Sequence, residues 1–168
     1  MSNKILVTYA SRTGSTAEIA EAIGKTLSEG SAQVDVIPMG DVKDLSAYQS
    51  VVVGSAIRGS KWLPEAMQFM QTHRSTLAQK RFAMFTVCIT MAMKNAENYR
   101  SGVLGWVAPV RALAKPVSEG LFAGRLDFSK LPFSWDTFLF RIAVTLGIFP
   151  RGDHRDWNAV RTWAEGLK

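Results

Sequence analysis

The chain has 168 residues, 47% of them hydrophobic and 20% charged, with a formal net charge of +6. That length suits one domain, 1–168, with room for a sizeable core; a single cysteine, Cys88, excludes an intramolecular disulfide, and no run of 18 apolar residues offers a membrane-spanning helix. The chain also enters its first strand without the basic and apolar segments of a signal peptide, so a cytoplasmic location is expected.

In chain order, the first predicted element is a strand over Lys4–Tyr9, which runs into a hydroxyl-rich loop, Ser11-Arg12-Thr13-Gly14-Ser15-Thr16. A helix over Thr16–Ser28 follows, with Ile19, Ile23 and Leu27 on one face. A strand that ends at a helix start makes an anion site, because the first helical N–H groups lack partners and the dipole is positive there. The loop has neither the lysine of a nucleoside-triphosphate loop nor the three-glycine spacing of a dinucleotide turn, which leaves a monophosphate cradle. Ser15 and Glu18 also have the spacing of a capping box, a reading that leaves Ser11, Thr13 and Gly14 unexplained.

Further strands are predicted over Gln33–Ile37, Ser50–Gly54, Phe82–Val87 and Val117–Ala123, and helices over Leu63–Arg74 and Asn158–Leu167. A helical stretch near Asn95–Leu113 contains Gly102, Gly105 and Pro109, so a break is expected within it. After the third strand comes Ser55-Ala56-Ile57-Arg58-Gly59-Ser60-Lys61-Trp62. Gly54, Ser55 and Ala56 are small enough to let backbone approach a flat ligand, and Trp62 is a candidate cover, although a core position is the alternative. After the fourth comes Val87-Cys88-Ile89-Thr90-Met91. Residues from about 125 to 153 form a long insert before the last helix, and Phe138, Ile142, Leu146 and Phe149 recur in it at helical spacing. Core packing is the leading reading of that spacing, and an interfacial helix the other.

The Ser11–Thr16 loop after an N-terminal strand resembles the FMN-phosphate loop of the flavodoxin family. Alternating strands and helices suit a parallel sheet covered on both faces, and five strands suit the doubly wound order 2-1-3-4-5, for which flavodoxin is itself the reference example. An α/β, flavodoxin-like doubly wound five-stranded sheet with an insert after the fifth strand is the expected fold. The resemblance implies FMN held by Ser11, Arg12, Thr13, Gly14, Ser15 and Thr16 at the phosphate. It implies the ring between Ser55, Ala56, Ile57, Arg58, Gly59 and Trp62 on one side and Val87, Cys88, Ile89 and Thr90 on the other. Two departures stand against a plain electron carrier. The chain is basic where carriers are acidic, and Cys88–Met93 holds no aromatic residue to stack on a flavin.

With Val52-Val53-Gly54-Ser55-Ala56-Ile57-Arg58, Ala123-Gly124-Arg125-Leu126, the aromatic-basic insert from Trp135 and the final Asp156-Trp157-x-x-Val160, the layout resembles the menaquinone-dependent protoporphyrinogen oxidases. The likeness implies an FMN-dependent oxidoreductase that passes electrons from protoporphyrinogen to a quinone. A soluble flavodoxin-type carrier is the alternative, and a flavin-free binding or regulatory domain the third. Residues 61–115 hold eight bases against two acids, while the rest of the chain is balanced at twelve and twelve. Arg58, Lys61 and Lys94 are candidates to attract propionates, and residues 135–149 to touch an anionic membrane peripherally. No nucleic-acid motif accompanies the charge, and no nucleic-acid partner is expected. His73 and His154 stand apart from other metal ligands, so no metal site is expected, and no His, Asp or Glu is placed to act as general base.

Overall fold

The computed structural model describes residues 3–130 and 133–168. The insert predicted over 125–153 therefore falls within it except for 131 and 132, which lie outside the described residues. In chain order the elements are β1 (Lys4–Ala10), α1 (Ser15–Ser28), β2 (Gln33–Pro38), β3 (Ser50–Arg58), β4 (Lys61–Trp62), α2 (Pro64–Leu77), β5 (Arg81–Val87) and α3 (Glu97–Trp106). They continue with α4 (Ala108–Leu113), β6 (Ser118–Phe122), β7 (Arg125–Leu126), α5 (Trp135–Thr145), β8 (Gly152–Asp153) and α6 (Trp157–Glu165).

The five long strands run in the order β2-β1-β3-β5-β6 and all pair in parallel, which is the expected doubly wound order once the two-residue β4 is set aside. Parallel strands need a crossover each, and the crossovers cover both faces. On one face Ile5, Val7, Val52 and Phe85 pack with Ile19, Ile23 and Leu27 of α1 and Val160 and Ala164 of α6. On the other, Leu6, Val51, Val53 and Met84 pack with Leu63, Phe69 and Met70 at α2 and Val110 of α4. Successive strand residues thus enter opposite cores, so the strands are apolar without alternation.

The expected break in the Asn95–Leu113 stretch is present. α3 ends at Trp106 and α4 starts at Ala108, with Pro109 in its first turn, where a missing N–H costs nothing. The third strand runs four residues beyond Gly54 because it turns back on itself. Ile57 pairs with Trp62 and Arg58 with Lys61 in an antiparallel hairpin. Its two-residue turn is Gly59-Ser60, with φ of 57° and 59°; positive φ at both places is what a tight type I′ turn requires.

The insert is closed at its base by β7 and β8, paired Arg125 to Asp153 and Leu126 to Gly152. Its helix α5 is capped by Ser134, whose hydroxyl accepts the Thr137 N–H at 3.3 Å. Core packing of this helix is overturned. Trp135, Leu139 and Leu146 are 78%, 59% and 71% exposed, Phe138 and Ile142 are exposed too, and only Thr137 and Val144 are buried. The helical spacing is real, but the sheet's two faces are already covered by α1, α6, α2 and α4, which leaves α5 no core to join.

Candidate functional site

The loop after β1 is held by its own residues. The Ser11 hydroxyl accepts the Gly14 N–H at 3.1 Å, and Gly14, in the left-handed region at φ 89°, occupies the N-cap of α1. No side chain caps that terminus. The capping-box reading is thereby corrected: Ser15 Oγ accepts the Arg125 N–H at 3.1 Å, and Glu18 turns outward to Arg155 and Arg125. The head of a 14-residue helix is left with its first N–H groups turned to a loop of small and hydroxylated residues. Ser15 and Thr16 are buried, while Ser11, Thr13 and Gly14 are partly open. This donor set fits an anion through backbone amides and the positive end of the dipole.

Arg12, expected at the phosphate, reaches sideways to Glu65 in the first turn of α2 as a two-pronged pair, Nη2 standing 2.9 Å from Oε2. That pair pins the loop to α2. Burial is the largest single influence on the Glu65 carboxyl and pushes it up, but the Arg12 hydrogen bond, a backbone hydrogen bond and the Arg12 charge together bring the net shift downward. The Glu18 carboxyl is likewise held low, chiefly by the Arg155 hydrogen bond and in part by the Arg125 charge. Glu65 and Glu18 are thus both committed to arginines.

Two loops stand at the carboxyl ends of β3 and β5. One is the exposed hairpin tip, Arg58-Gly59-Ser60-Lys61, with Ala56 and Ile57 half-buried below it. The other is a 3-10 turn, Ile89–Ala92, half-buried throughout and packed by α3. Lys94 is exposed just beyond it.

Several residues assigned to the ring are occupied with holding these loops. Trp62 is 2% exposed, and its indole N–H donates to Thr86 Oγ1 at 2.9 Å, so it packs in the core and does not cover an open site. Ser55 is fully buried; its hydroxyl accepts the Leu63 N–H at 3.1 Å and donates to the Ala56 carbonyl at 2.9 Å, tying the hairpin to the start of α2. A Cβ on Gly54 would stand 1.9 Å from the Phe85 ring, so this glycine makes room for a neighbouring side chain and not for a ligand. Val87 and Cys88 are both 4% exposed, and the Cys88 N–H bonds the Phe122 carbonyl at 3.0 Å. Of the ring candidates, Ala56, Ile57, Arg58, Gly59, Ile89 and Thr90 present accessible surface.

Sequence reasoning missed the neighbours that the fold brings in. Arg155, with a side chain only 4% exposed, joins Glu18 and Asp153 and lies 4.5 Å from the Trp157 ring centre. Lys130 brings its ammonium 3.9 Å from where a Gly14 Cβ would be. Tyr99, 45% exposed, lies on α3, the helix packed on the 3-10 turn. Arg155 and Lys130 are far from the loops in sequence, and Tyr99, although it follows the second loop closely, lies beyond the segment read as the ring site. An open recess of about 530 Å³ lies inside the insert's base, lined by Arg125, Leu126, Asp127, Ser129, Arg151 and Gly152. Among the described residues no cluster of His, Cys, Asp and Glu suits a metal ion, and no helix is long and apolar enough to cross a membrane.

A doubly wound parallel sheet with a hydroxyl-rich loop between its first strand and first helix defines a class of α/β domain whose ligands sit beyond the carboxyl ends of the strands. The flavodoxin domain model matches residues 6–144, and the chain belongs to that family. Over 97% of its length it is 28% identical to a Leishmania major protein named protoporphyrinogen IX dehydrogenase [quinone], of which 74% is covered. Its fold is that of a flavodoxin from the domain Archaea (TM-score 0.55, 23% identity, 98% of each chain). It is also shared with a Streptococcus pneumonia TIGR4 flavodoxin (TM-score 0.60, 17% identity, 98% of this chain and 97% of the other). Oxidised Flavodoxin 2 from Bacillus cereus gives a TM-score of 0.59 at 21% identity, with 98% and 97% covered. The chain is therefore a flavodoxin-like domain of a flavin-binding, redox-active family.

Proposed function

We propose that the protein is an FMN-dependent oxidoreductase that takes hydrogens from a lipophilic reduced substrate, protoporphyrinogen being the leading candidate, and delivers electrons to a quinone. The observation that carries this reading is the insert. It presents Trp135, Phe138, Leu139, Ile142, Leu146 and Ile148 outward while its base is locked to the first turn of α1 by the Glu18–Arg155–Asp153 pairs. A water-soluble one-electron carrier has no use for so much exposed apolar surface. The name of the Leishmania major relative, which pairs protoporphyrinogen with a quinone, supports the same substrate class.

When bound, FMN supplies the hydride and electron chemistry. The chain's part is to bind and orient. The amides at the head of α1, with the Ser11, Thr13, Ser15 and Thr16 hydroxyls near them, receive the phosphate, and Ser11 holds Gly14 in place for it. The hairpin tip and the Ile89–Ala92 turn border the ring with backbone groups. Arg58, Lys61 and Lys94, all exposed on that rim, attract propionate carboxylates. The outward face of α5 forms a landing surface for a porphyrinogen or quinone and for peripheral contact with an anionic membrane.

The test is anaerobic oxidation of protoporphyrinogen by FMN-loaded protein with a menaquinone analogue, followed by porphyrin fluorescence. Saturable turnover above free FMN and above quinone alone is expected. Retained FMN without turnover, together with a stable semiquinone on titration, would assign the protein to the soluble carriers instead.

A further inference from the structure

We infer that Lys130, carried by the insert, is a phosphate-binding residue of the flavin site and sets its preference for FMN over flavins without a phosphate. The inference rests on the FMN reading given above. The loop itself offers only amides and hydroxyls. Its one cation, Arg12, is turned away to Glu65, and the neighbouring Arg125 and Arg155 are joined to Glu18 and Asp153. Among the described residues the Lys130 ammonium makes no close salt bridge, and its charge acts on Glu18 and Asp127 only from beyond contact distance. It stands 3.9 Å from the Cβ position of Gly14, the left-handed residue at the uncapped head of α1.

The placement is built rather than incidental. The Arg125 N–H is fixed on Ser15 Oγ at 3.1 Å, so the insert departs from the phosphate loop itself. Five residues later a short turn closes, with the Lys130 N–H on the Asp127 carbonyl at 3.3 Å and the Ser129 N–H on Asp127 Oδ1 at 3.0 Å. This tether returns the lysine to the loop from which the insert left. A phosphate monoester carries about −1.5 to −2 charges at neutral pH, whereas the helix dipole offers about half a positive charge. A lysine supplies the full charge that the loop lacks.

The experiment titrates flavin-free, full-length protein with FMN and with riboflavin, which lacks the phosphate, and follows quenching of flavin fluorescence. Lys130→Gln should raise the Kd for FMN about tenfold, the scale of one charge-assisted hydrogen bond, and leave riboflavin unchanged. Lys130→Glu should raise it further. The salt dependence of FMN binding should also be shallower in Lys130→Gln than in the unaltered protein. Equal losses for both flavins, or no loss for either, overturn the assignment of Lys130 while the phosphate cradle stands. Unaltered protein that binds riboflavin as tightly as FMN overturns the cradle itself, and this assignment with it.

Discussion

Gly54 and Phe85 are neighbours on paired strands, and a Cβ at Gly54 would stand 1.9 to 2.4 Å from three ring carbons. Both residues face the core shared with α1, where Phe85 is fully buried. Gly54→Ala should therefore destabilise the fold by about 1 to 3 kcal/mol, the cost of overpacking, seen as a lower urea midpoint for the flavin-free protein. An unchanged midpoint would mean that the ring swings aside at no cost. The sequence alone made Gly54 a place where backbone meets a flat ligand, because a glycine after a strand carries the same signature in both cases. Trp62 teaches the same lesson. An aromatic at a loop end reads as a cover for a ring, and only the 2.9 Å bond to Thr86 shows it to be internal.

At the scale of elements, the insert is tied to the site through one arginine. Arg155 donates to Asp153 of β8 and to Glu18 of α1, and the two carboxylates raise its own pKa further above its usual value. The Arg155 hydrogen bond holds the Asp153 carboxyl at about 2, against an ordinary 3.8. A carboxyl depressed in the fold adds stability above its unfolded pKa and loses it as pH falls through the folded one. Asp153 is 42% exposed, so solvent screens the pair and its contribution stays below about 1 kcal/mol. Asp153→Asn should thus lower the melting temperature near neutral pH by at most about 4 °C, and the deficit should shrink from pH 4 towards pH 2. A deficit constant across that window would place the effect in packing rather than charge.

For the whole molecule, the consequence of two filled sheet faces is an apolar helix with nowhere to bury itself. Leu139, Leu146 and Ile148 are each more than half exposed. Replacing all three with serine should leave urea stability within about 1.5 kcal/mol of the unaltered protein, at about 0.5 kcal/mol for each exposed position. It should also reduce co-sedimentation with anionic phospholipid vesicles and raise the apparent KM for a long-chain quinone more than for a water-soluble one. Equal vesicle binding before and after the change would remove the landing surface from the functional reading.

The sequence by itself determined the sheet. Short apolar runs separated by helix-length amphipathic stretches leave little but a doubly wound parallel arrangement, and the flavodoxin resemblance implied the strand order that the sheet has. It also marked the loop at the head of α1, because strand, hydroxyls, glycine and helix are contiguous and each acts on its immediate neighbours. It could not sort the ring candidates, since Ser55 and Gly54 owe their roles to Leu63 and Phe85, partners that local patterning does not reveal. Nor could it separate an apolar helix that is core from one that is surface, because periodicity reports that a face exists and not what covers it. The tertiary structure decided those questions. It turned Arg12 away from the loop, locked Arg155 between α1 and β8, and returned Lys130 to Gly14 across more than a hundred residues. Charge acts through space, and the nearest charges are fixed only when the chain has folded.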